Sequence, residues 1–200
     1  VNGLRPEFSA QQAETVLTRR RFARTRAILR FITRPLRRPA GQSGAPAIPL
    51  ELVWLPQYWI RFVVDDGAKT KRFEAMVCGH GQGAVAVDLS RRAWQPIDGD
   101  AALPESLTEA DATEQARDGL TATMMQAPKW SNRTVVGEPV SKLIGYPYWV
   151  YYYRRRGDKL DIKLLDAMTG RVAGPKAKAA FLAALAHQQR VARASDEASR

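Results

Sequence analysis

Tyr146-Pro-Tyr-Trp-Val-Tyr-Tyr-Tyr-Arg-Arg-Arg-Gly-Asp-Lys-Leu-Asp-Ile-Lys-Leu-Leu-Asp-Ala-Met-Thr-Gly-Arg-Val172 decides the fold. Its first half is crowded with aromatic and β-branched side chains, which favour a pleated, half-buried backbone, and the strand is expected over Leu143–Arg155. Gly157 and Asp158 supply turn chemistry, and Lys159–Ala167 returns as a partner strand. In that return Leu160, Ile162 and Leu164 alternate with Lys159, Asp161 and Lys163, so one face is buried and the other wet.

The same pattern stands earlier in the chain. Leu50–Val64 is rich in branched and aromatic residues, Asp65, Asp66 and Gly67 form a turn, and Arg72–Cys78 returns. Gly79, Gly81 and Gly83 permit a tight turn before a third strand, Ala84–Leu89. Tyr58 aligns with Tyr148, Trp59 with Trp149, Phe62 with Tyr152 and Gly67 with Gly157; after three extra residues in the first copy, Gly83, Val85 and Ala86 fall on Gly170, Val172 and Ala173. The register of both glycines with the Tyr-Trp pair points to an internal duplication.

Helices frame these hairpins. Ser9 and Gln12 have capping-box spacing, and Ala13, Val16, Leu17, Ala27, Ile28 and Phe31 recur at helical intervals, predicting one helix over about 9–33 that Pro35 and Pro39 end. Pro39–Pro49 reads as a linker. Arg91–Pro104 reads as loop, and Ser106 with Glu109 opens a second helix carrying Ala112, Ala116, Leu120 and Met124 on one stripe, to end near Ala127 and Pro128. Thr134–Val136 reads as a short separate strand. Gly174 and Pro175 open a final helix with Phe181, Ala184, Leu185 and Gln188 on a common face, fraying after about Arg190. The fold class is therefore α+β: two helix-plus-antiparallel-β-hairpin units related by internal duplication, with a C-terminal helix. The expected divisions are a basic N-terminal helix over 1–40, a first hairpin unit over 41–104 with which that helix goes, and a second helix-sheet unit with the terminal helix over 105–200.

Residues 146–174 resemble a PepSY-type repeat, broadly cystatin-like in layout, in which a helix precedes a hairpin whose second strand ends in Asp-Ala-x-Thr-Gly-x-Val. Asp166, Ala167, Thr169, Gly170 and Val172 stand at those positions. The first copy departs from the motif, with Cys78-Gly-His-Gly-Gln-Gly83 in place of the closing turn. The resemblance implies a binding or regulatory module, of a kind often found in secreted or membrane-attached proteins.

Composition narrows the setting. The 200 residues are 45% hydrophobic, enough for a sizeable core, and the one cysteine cannot form an internal disulfide. No run approaches the roughly 18 apolar residues of a membrane span, and the polar stretch Val1–Ala10 lacks the layout of a secretion signal, so a cytoplasmic location is expected. The net charge of +11 fits an acidic partner, a nucleic-acid backbone, an anionic membrane face or simply a basic proteome. Nine arginines, Arg19, Arg20, Arg21, Arg24, Arg26, Arg30, Arg34, Arg37 and Arg38, concentrate it, and Arg154, Arg155 and Arg156 form a second run.

Chemistry-bearing residues are few. Cys78 and His80 stand two apart without a third group to orient them, and the other histidine, His187, is expected on a distant helix, so no catalytic residue, metal set or cofactor is assigned. The glycines at 79, 81 and 83 lack the lysine and helix of a phosphate loop. Trp149, Tyr151 and Tyr153 share one strand face, which either packs on the core or serves as a platform. The sequence thus predicts a non-enzymatic binding or assembly protein whose basic helix and aromatic strand meet an acidic protein surface. The alternative is a nucleic-acid-binding accessory protein using the arginines for phosphates and the Tyr/Trp strand for stacking. An anionic membrane surface fits less well, because Arg20 and Arg24 interrupt the apolar stripe.

Overall fold

The computed structural model describes residues 2–17, 50–81, 83–97, 102–126, 133–154 and 160–198. Its strands are β1 (Asn2–Leu4), β2 (Leu50–Asp65), β3 (Thr70–Cys78), β4 (Ala84–Ala86), β5 (Trp94–Pro96), β6 (Thr134–Arg154) and β7 (Leu160–Asp166). Its helices are α1 over 10–17, α2 (Glu109–Gln126) and α3 (Pro175–Ala198). The seven strands form a mixed sheet ordered β4-β3-β2-β6-β1-β5, with β7 pairing with β6 off that path. The chain is α+β, and by contacts it divides into two units that are interleaved along the sequence: residues 1–5, 53–147 and 175–200 in one, 6–52 and 148–174 in the other.

In the first unit β2 and β3 pair antiparallel from Gln57↔Cys78 to Asp65↔Thr70. The turn forms because Asp66 Oδ1 accepts the backbone N–H groups of Ala68 (3.2 Å) and Lys69 (3.0 Å), while Gly67 takes φ 82°. The Lys69 N–H foremost, then Lys71, holds the Asp66 carboxyl down at about 2. Strand alternation sends Tyr58, Ile60, Phe62 and Val64 to one face, where Ala75, Val77 and the α2 residues Ala112, Ala116 and Leu120 complete the core. Those α2 positions recur every four residues, and their small side chains let the helix lie close on the sheet. Phe62 is fully buried there, so its truncation to alanine costs about 3–5 kcal/mol. Helix α3 buries Ala180, Phe181 and Ala184.

The second unit sets α1 on the β6–β7 hairpin, which pairs from Tyr148↔Asp166 to Arg154↔Leu160. Ala13 and Leu17 meet Leu165, with Trp149, Tyr151 and Val172 against them. The capping box opening α1 is present: Ser9 N–H donates to Gln12 Oε1 at 2.8 Å and Gln12 N–H to Ser9 Oγ at 3.4 Å. The closing turn is held by Asp166, whose Oδ1 accepts Met168 N–H (2.8 Å) and Thr169 N–H (3.1 Å), and Gly170 has φ 66°.

Several expectations are corrected. Thr134–Val136 and Leu143–Arg155 are one strand, since Gly137 adopts φ 71°, which glycine tolerates, and β6 continues through Pro139. Helix α2 is capped by Thr108, whose Oγ1 accepts Asp111 N–H at 3.2 Å, and not by Ser106 with Glu109. The third strand stops at Ala86; beyond it Val87 N–H still reaches Glu74 O at 2.9 Å, and Leu89 N–H turns to the Glu74 carboxylate at 3.4 Å. Residues 94–96, read as loop, pair with β1. Helix α3 runs on to Ala198, sustained by alanine, arginine and glutamate. The segment beyond 17 of the predicted 9–33 helix lies outside the described residues.

Candidate functional site

The aromatic strand divides its labour. Trp149 Nε1–H donates to Phe8 O at 2.7 Å, and Trp149 and Tyr151 both pack on α1, which is the burial reading of that face. Tyr153 stacks on Tyr151 with ring centroids 6.2 Å apart, donates its hydroxyl to Asp161 Oδ2 at 2.8 Å and lies 5.5 Å from Lys163 Nζ. On the other face Tyr152 donates to Glu51 Oε2 at 2.9 Å, and burial followed by that carboxylate pushes its phenol up to about 12. Arg154 ends β6; Arg155, Arg156 and the nine arginines from Arg19 to Arg38 lie outside the described residues.

Cys78 and His80 do not work as a pair. The thiol is buried and pushed up chiefly by desolvation, with Gln57 and the His80 backbone as its hydrogen-bond partners. The His80 ring points elsewhere: Nε2 lies 3.0 Å from Pro104 O and Nδ1 2.9 Å from Ser106 Oγ. A carbonyl only accepts, so Nε2 carries the proton and Nδ1 receives the Ser106 hydroxyl. Burial foremost lowers the His80 pKa. His187, placed far away by the sequence reading, comes edge-on to His80 with ring centroids 6.4 Å apart. Two imidazoles do not make a metal site, and among the described residues no group of three or more His, Cys, Asp or Glu could hold a metal.

The arrangement that sequence reasoning missed is on the sheet. Trp59 alternates with Tyr58 and Ile60, so it projects from the face opposite the α2 core. There it meets Trp94 of β5, ring centroids 6.4 Å apart and planes inclined by 56°. Glu74 Oε2 receives the Trp59 indole N–H at 3.1 Å, and the Arg61 guanidinium sits 5.4 Å from the Trp59 ring centroid. Trp94 is 42% exposed. Together Trp59, Trp94, Asn2, Lys142, Leu143 and Ile144 line a groove of about 580 Å³. Its two indoles offer apolar area at low entropic cost, its Lys142 offers positive charge, and Arg61 adds a second cation beside Trp59. The sequence signal that could have found it is Trp94, a large aromatic residue in a segment read as loop.

A second cavity, of about 440 Å³, is apolar, with Trp54, Ile97, Leu103, Ile144 and Val191 among its walls. Gly3 and Gly145 form the parallel bridge beside it, at positions where a Cβ would run into Ile97 and Trp54. Among the described residues, no helix is long and apolar enough to cross a membrane. No family model matches the chain, and neither a curated protein nor a solved structure shows significant similarity to it.

Proposed function

We propose that this chain is a non-enzymatic binding or assembly protein that grips a protein partner by its aromatic strands, with the basic segment Arg19–Arg38 meeting acidic surface on the same partner. The observation that carries the reading is the Trp59–Trp94 pair, half-exposed on a sheet face and flanked by the cations of Arg61 and Lys142. Tryptophan and arginine are the residues that dominate the energetics of protein interfaces, and a cleft between two indoles accepts an apolar or aromatic side chain. The net charge of +11 supports an acidic partner by raising its encounter rate. The duplication and the kinship with PepSY-type repeats belong to this proposal: Gly83 (φ 79°) and Gly170 (φ 66°) share a left-handed backbone, and Val85 and Val172 each return to pair antiparallel with the strand before the turn.

Affinity purification from source cells, with and without nuclease, tests it when wild type is run beside Trp94→Ala. A defined set of proteins that survives nuclease at moderate salt and disappears from Trp94→Ala supports the reading. Retention that nuclease abolishes, with nucleic acid in the eluate, replaces it with the accessory nucleic-acid role of the arginine run.

A further inference from the structure

Helix α3 and the turn after β3 flank an open depression of about 330 Å³ lined by His80, Ser106, Ala183, Ala186, Gln189, Arg190 and Arg193. Its composition is one-sided: two guanidinium groups, a carboxamide, a hydroxyl and an imidazole, with no carboxylate among the lining residues. Positions 183, 186, 190 and 193 lie at helical three- and four-residue intervals, so one face of α3 presents the alanines as a recess and the arginines as its rim. Neither arginine is in an ion pair among the described residues. The opposite wall is fixed, since Ser106 N–H and Leu107 N–H both donate to Gly79 O, at 2.9 and 2.8 Å, and His80 is clamped between Pro104 O and Ser106 Oγ.

We propose that this cavity binds a phosphate group, as free phosphate or as the monoester of a small molecule, with Arg190 and Arg193 neutralising its charge and Gln189 and Ser106 completing its hydrogen bonds. A carboxylate is satisfied by one guanidinium fork, whereas a tetrahedral dianion has acceptor oxygens for separate donors on both walls. The alanines leave the volume that larger side chains would fill. Ser106 donates to the ligand by turning its O–H away from His80 Nδ1 and from Gly79 O, 3.3 Å off, and the Glu105 carboxylate and His187, which act electrostatically on His80, complete its surroundings together with the two arginines. This site is independent of the Trp59–Trp94 groove and stands or falls separately from it.

The full chain has two histidines, of which His80 lines the cavity and reports on it by NMR, and a His187→Gln variant assigns the two rings. Inorganic phosphate and glycerol 3-phosphate are titrated separately at constant pH and ionic strength, with chloride as the compensating anion. The expected result is a saturable shift of the His80 resonances with at least one of the two, the tighter one identifying the source. Arg190→Gln/Arg193→Gln, at two exposed positions, weakens it about tenfold or more, while Arg117→Gln on α2 leaves it unchanged. Shifts that never saturate with either ligand, or a double variant that titrates like wild type, overturn the proposal.

Discussion

One oxygen of Glu74 serves two partners: Oε2 accepts the Trp59 indole N–H at 3.1 Å and the Leu89 backbone N–H at 3.4 Å. The carboxylate thus fixes an indole of the candidate groove and anchors the chain as it leaves β4. Glu74→Ala strands both donors, Leu89 being almost fully buried. A destabilisation of about 1–3 kcal/mol is expected in urea unfolding, with loss of partner binding in the same variant. Unchanged stability would show that water replaces both bonds.

Cys78 is shielded by burial, which also raises its thiol pKa, so it is a poor nucleophile in the folded state. Alkylation by iodoacetamide near neutral pH is expected to follow unfolding, negligible in native buffer and complete in denaturant. Fast native labelling contradicts this placement of β3.

Tyr152 carries a pH signature. Its phenol rises from 10.0 to about 12 in the folded chain, so its contribution to stability is complete below pH 10 and disappears as pH climbs to 12. Between those values wild type should lose more stability than Tyr152→Phe, which has nothing to titrate at that position. Parallel curves for the two proteins would mean that neither burial nor the Glu51 carboxylate holds the Tyr152 proton in the folded chain.

Gly170 is irreplaceable for two reasons. Its φ is +66°, and a Cβ there would land on the ring of Phe8. Gly67 shares the positive φ with nothing within 4 Å. Gly67→Ala should therefore cost only the left-handed backbone, about 1–2 kcal/mol, and Gly170→Ala distinctly more in the same thermal melts. Equal losses mean that Phe8 moves aside freely.

Local chemistry was legible in the sequence. The Ser9–Gln12 box, the Asp65-Asp66-Gly67 turn and the α2 stripe each depend on residues a few positions apart, and each is present. The burial of Ile162 and Leu164 likewise follows the alternation of their strand. What escaped was set by distant partners. Strands β1 and β5 are three residues each, too short to show a period, and exist because they pair with each other. Which hairpin each helix covers is also silent in the sequence: α2 lies on β2 and β3, which precede it, while α1 lies on β6 and β7, far downstream. The candidate groove and the phosphate cavity share this origin, because Trp59 meets Trp94, and His80 meets His187, only through the fold.

Interleaving has a price in time. The bond from Trp149 to Phe8 spans 141 residues, and the Gly3–Gly145 bridge in the other unit closes a loop of similar length. Such closures must be made before the contacts they enable can reward them, and closures of this length slow folding. During synthesis, the segment around residues 2–17 emerges long before β6 exists to receive it. Until then Leu4, Ala13 and Leu17, all essentially inaccessible in the finished fold, are apolar surface without a home. Until β6 is made, non-native association through these early residues competes with folding.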